Sequence, residues 1–151
     1  MNNGQTKRSA PAGTPSASKV ILLAEDTRDD VELFRRALQR SGLQNPLHVV
    51  RNGDEAINYL LGEGQYADRA RFPMPHLLLL DSKMPGKSGC EVLKWVRERP
   101  ELSAVAVIIL GGSGSPNEED TAYRLGALGY HIKPATTEEL EHLVKRICGN
   151  W

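Results

Sequence analysis

Three carboxylates and one ammonium stand at places in this sequence where they could do chemistry together. Glu25 and Asp26 end the apolar run "KVILLA" (19–24), Asp81 ends "HLLLL" (76–80), and Lys133 follows "GYHI" (129–132). Carboxylates gathered in one place repel one another unless a cation sits among them. A hard divalent ion such as Mg²⁺ suits the set, taking oxygens from carboxylates, a backbone carbonyl and water while leaving room for phosphoryl oxygens. An ammonium beside the same aspartate can pair with it or with an anion attached to it. A carboxylate flanked by two cations is arranged for attack on a phosphoryl group, whose oxygens both cations neutralise in transfer. Asp81 is then the candidate acyl-phosphate site. The plainer alternative has Glu25 and Asp26 serving a helix N-terminus and Asp81 capping a turn. Against it stands the recurrence of this chemistry at several strand ends.

Such a meeting requires elements that carry these residues to one edge. The runs 19–24, 47–50, 76–80, 105–110 and 129–132 read as five strands. Those at 76–80 and 105–110 lack polar alternation, as central parallel strands covered on both faces do. Helical patterns fill the intervals. One begins near Thr27, stripes Val31, Phe34, Ala37 and Leu38, and ends near Gly42; another is capped by Asn52, with Glu55 three residues on. A third follows Gly89 and stops before Pro100. The fourth opens with Ser115 as cap, Pro116 at the first helical position and Glu118 closing a capping box; the last opens at "TTEE". Five strands interleaved with five helices imply an α/β doubly wound parallel sheet, because right-handed crossovers place helices on both faces. In such sheets the functional crevice lies beyond the carboxyl ends of the strands.

The 151 residues suffice for one core, and 19 Lys and Arg balance 19 Asp and Glu. No global field therefore favours nucleic acid or an anionic membrane, and any charge-based function is local. Cys90 and Cys148 lack metal-ligand spacing and fit a reducing, cytoplasmic setting. No segment reads as a secretory signal or membrane span. Residues 1–18, rich in Ser, Ala, Pro, Gly and Thr, read as a disordered tail before a domain over 19–151. His48 and His131 have no companion at ligand spacing, and Trp95 lies near an apolar helix stripe.

The motifs "LLAEDTRDD", "LLLLDSKMPGKSGCEVL" and "GYHIKP" resemble the receiver domain of bacterial two-component response regulators, across essentially all of 19–148. The resemblance implies a flavodoxin-like (βα)5 fold of strand order 2-1-3-4-5. It implies that Asp81 accepts a phosphoryl group from a histidine kinase or phosphotransfer protein. It further implies that Glu25, Asp26, Asp81 and the backbone carbonyl of Lys83 hold Mg²⁺, that Lys133 contacts the phosphoryl group, and that the bond before Pro134 is cis. The segment "LLGEGQYADRARFPMPH" resembles stand-alone receivers of the phytochrome-associated type; it reads as an interaction loop or as a surface excursion.

One position departs from the family pattern. Where the family places Thr or Ser after the fourth strand, this chain has Gly111, which offers no hydroxyl. The lost hydrogen bond to a phosphoryl oxygen is worth roughly 1.5–3 kcal/mol. Ser113 could swing in. Tyr130 matches the family's switch aromatic, and the space left at Gly111 would let its ring sit inward; the alternative is packing at a strand edge.

The expectation is a stand-alone response regulator, not an enzyme, acting on a downstream protein and able to homodimerise through its fourth helix, fifth strand and fifth helix. The rival is a degenerate receiver that binds partners without phosphorylation. A dehalogenase-type phosphatase would want an acid where Lys83 stands, and a flavodoxin's phosphate would be repelled by "EDTRDD".

Overall fold

The computed structural model describes residues 19–112 and 116–148. The expected tail at 1–18, the cap Ser115, the switch candidate Ser113 and Trp151 lie outside them. Among the described residues, five strands, β1 (Ile21–Ala24), β2 (Leu47–Val50), β3 (Leu77–Asp81), β4 (Ala106–Gly111) and β5 (Gly129–Ile132), alternate with five helices. These are α1 (Arg28–Arg40), α2 (Gly53–Leu61), α3 (Gly89–Arg97), α4 (Pro116–Arg124) and α5 (Thr137–Cys148). The strands are all parallel in the order β2-β1-β3-β4-β5, the expected flavodoxin-like arrangement.

The continuous apolar runs serve two cores, because successive side chains of a strand point to opposite faces. Leu22, Leu78, Leu80, Val107 and Ile109 pack with α2, α3 and α4. Ile21, Leu23, Leu77, Leu79 and Ile108 pack with α1 and α5. β3 is buried along its whole length, Asp81 included, so the acid is held by a strand anchored on both faces.

Local chemistry sets the helix ends. Asn52 accepts a hydrogen bond from the Glu55 amide, whereas the Glu55 carboxylate turns back to the Arg51 amide. α3 opens with a full capping box of Ser88 and Glu91, one residue before the expected start. Thr27 precedes α1 but makes no side-chain cap. At the C-terminus of α2 the long segment folds back instead of projecting. Arg69 donates to the carbonyls of Tyr59 (2.8 Å), Leu60 (2.7 Å) and Phe72 (3.0 Å), and Tyr59, Tyr66, Phe72 and His48 pack as an aromatic cluster.

The expected cis bond before Pro134 is not found; every described peptide bond is trans. Trans is the lower-energy isomer at an X–Pro bond by about 0.5–1 kcal/mol. Here the Lys133 amide reaches the Gly111 carbonyl (2.7 Å) with the trans bond in place.

Candidate functional site

Glu25 and Asp26 leave the end of β1, Asp81 ends β3, and Lys133 follows β5. The parallel register aligns these ends, and Glu25, Asp26 and Asp81 each present a carboxylate oxygen within 4.8 Å of the others. Glu25 and Asp81 are buried; Asp26 is exposed and opens the cluster to solvent. Gly89 permits the close approach of α3 behind Asp81, since a Cβ there would lie 2.6 Å from the Asp81 carbonyl oxygen.

Lys133 crosses to this cluster from the far side of β4. Its ammonium lies 2.7 Å from Glu25 Oε1, 2.9 Å from Asp30 Oδ2 and 3.1 Å from Asp81 Oδ2. Burial alone would lower the Lys133 pKa, but hydrogen bonds to Glu25, Asp30 and Asp81 more than reverse this and hold the group charged well above its ordinary range. Glu25 is shifted the other way. Its burial raises the carboxyl above the usual range despite the bonds from Lys133 and the Thr27 amide. An acid strained by desolvation beside a second carboxylate is a group that a cation would relieve.

The structural roles weighed against the chemical ones are present too. Glu25 Oε2 accepts from the Thr27 amide (3.1 Å) and Asp81 Oδ1 from the Lys83 amide (3.2 Å). Each carboxylate spends one oxygen locally and turns the other to Lys133, so the two readings coexist. The donor set is all oxygen, which suits Mg²⁺ or Mn²⁺. Lys83 is exposed beside the pocket.

At the end of β4 the missing side chain is replaced by a ring. A Cβ on Gly111 would fall 1.9 Å from Tyr130 Oη and 2.8 Å from Glu118 Oε1. Tyr130 is 6% exposed, with its hydroxyl donating to Glu118 Oε1. Burial, then the Glu118 bond and charge, hold its ionisation far above the ordinary tyrosine range. The ring lies over Gly111 from the edge strand β5, so the inward and strand-edge placements considered for it coincide. Asp30 and Glu118 were both missed from sequence. Asp30 could have been noticed as an acid in the first turn of the helix that follows Glu25 and Asp26; Glu118 had no signal beyond its capping position.

His48 is half-buried in the aromatic cluster, and burial followed by the Arg35 charge lowers its pKa below 6.5. Trp95 packs at the core edge with the Arg99 guanidinium 3.8 Å from its ring centroid. Cys90 and Cys148 are free thiols.

A doubly wound sheet of this strand order, with acids of β1 and β3 meeting a lysine from β5, defines a flavodoxin-like α/β protein with an oxygen-lined cation pocket. Residues 21–145 match the response regulator receiver domain family, and the chain belongs to it. It is 32% identical over 133 residues to response regulator Rcp1 of Synechocystis, covering 88% of each chain. Among solved structures it resembles the phosphorylated cyanobacterial phytochrome response regulator RcpA, at 35% identity and TM-score 0.78 over 86% of this chain and 91% of that one. It also resembles the Mn²⁺-bound form of response regulator Rcp1, at 32% identity and TM-score 0.77 over 88% and 94%. The protein is a receiver-domain response regulator, akin to phytochrome-associated regulators, and not a catalytic enzyme. No helix among the described residues is long and apolar enough to cross a membrane.

Proposed function

We propose that this protein is a single-domain response regulator whose Asp81 takes a phosphoryl group from a histidine kinase or phosphotransfer protein in the cytoplasm. The observation that carries the reading is the convergence of Glu25, Asp26 and Asp81 within 4.8 Å, with Lys133 on Asp81. Glu25, Asp26, Asp81 and the Lys83 carbonyl would hold Mg²⁺, which neutralises the transferring oxygens. In the transfer, an Asp81 oxygen bonds to phosphorus as the donor's bond to it breaks, and Lys133 moves from carboxylates to the new phosphoryl oxygens. Output goes to a protein partner through α4, β5 and α5. On that face Tyr123, Leu128 and Ile132 are exposed, Leu128 at 67% and Ile132 at 50%, so a homodimer through the same surface is part of the proposal.

Incubation with Mg²⁺ and a small acyl phosphate, followed by intact-mass measurement, tests the central step. The expected result is a gain of one phosphoryl group that Asp81→Asn abolishes. A gain that persists in Asp81→Asn, or none in the natural chain, would sink it.

One observation favours a second reading, a receiver whose binding face is set without phosphorylation: the Tyr130 ring fills the volume that a residue-111 side chain would need. Under that reading partner affinity is the same before and after phosphorylation.

A further inference from the structure

The Lys133 ammonium has three N–H donors. Three carboxylates surround it, those of Glu25, Asp30 and Asp81. Two of the three belong to the cluster able to hold a metal, and Asp30 does not. Asp30 sits in the first turn of α1, half-buried at the pocket rim. A divalent cation drawn to Glu25 and Asp81 would compete with Lys133 for their oxygens and repel its charge. The one carboxylate left to the lysine is Asp30.

We infer, on the reading of this pocket as a cation site, that Asp30 is a positioning residue that keeps Lys133 beside Asp81 when a divalent ion takes Glu25. Without Asp30 the ammonium would keep only Glu25 and Asp81, carboxylates that the metal also draws on. Asp30 thereby lets the ion and the lysine occupy one pocket together. Both are needed there if the charge on a phosphoryl group is to be neutralised from two sides.

Calorimetric titration of the full chain with Mg²⁺ alone separates this role from simple attraction. It compares the natural chain, Asp30→Asn, Lys133→Met and the double variant. The expected result is that Asp30→Asn weakens Mg²⁺ binding roughly three- to tenfold when Lys133 is present and less than about twofold in the Lys133→Met background. Asp30→Glu, which keeps the berth, restores most of the loss. Equal weakening in both backgrounds would mean that Asp30 acts only as a distant negative charge, and would overturn the inference, as would no weakening at all. A natural chain that binds no Mg²⁺ would overturn the inference together with the cation reading. Because no phosphodonor is present, the outcome is independent of whether Asp81 gains a phosphoryl group.

Discussion

At the scale of single residues, the pair Gly111 and Tyr130 makes the sharpest demand. A threonine at 111 cannot coexist with the inward ring, because its Cβ alone would lie 1.9 Å from Tyr130 Oη. Gly111→Thr should therefore expel the ring and break its bond to Glu118, at a cost of about 1–3 kcal/mol typical of overpacking. Urea unfolding reads the cost. In an NMR titration the Tyr130 phenol should fall back toward 10.0, the ordinary value it now exceeds. Unchanged ionisation would show that the ring never depended on the empty position. The absence of a side chain at 111 was legible from sequence, since an apolar strand ending in Gly where a hydroxyl was expected is a local fact. The identity of Glu118 as the ring's acceptor was not, because a bond spanning twelve residues between a strand and a helix leaves no mark in spacing. The Glu25, Asp81 and Lys133 meeting was legible for a different reason. Parallel strands share a direction, so residues ending apolar runs must share an edge.

At the scale of elements, capping and apolar runs announced nearly every strand and helix, and the differences fall where side chains reach outside their own element. The 60–76 segment was open between an interaction loop and a surface excursion. Either way, Arg69 fastens it to the last carbonyls of α2, groups that a helix cannot satisfy by itself. Arg69→Ala should release it. Hydrogen bonds from a charged donor are worth roughly 1.5–3 kcal/mol each and do not add, so a loss of about 2–4 kcal/mol in local opening free energy is expected. Amide exchange should quicken at residues 59–73 while β3 and β4 keep their protection. A uniform change across the sheet would instead mean that the segment belongs to the global unfolding unit.

At the scale of the whole molecule, both cores depend on a sheet covered on its two faces, and half-buried imidazoles tie their stability to pH. Burial lowers the pKa of His48 and of His131 below 6.5. A base depressed in the folded state contributes stability that is complete above 6.5 and lost as pH falls through its folded value. Urea unfolding between about pH 8 and about pH 5 should show stability declining toward acid, and His48→Phe should flatten part of that slope. An identical slope would show that His48 titrates alike in both states. Glu25, raised from 4.5, acts in the opposite sense: its contribution is complete below 4.5 and lost as pH rises through its folded value. The chain as a whole is neutral, yet three carboxylates, those of Glu25, Asp30 and Asp81, converge on the one ammonium of Lys133, with Asp26 a fourth acid beside them. An anionic donor would be repelled by this local excess of acids, and a bound divalent cation would offset it. On the proposed reading, divalent-ion supply would then gate the phosphorylation of Asp81, with the metal bound before the donor.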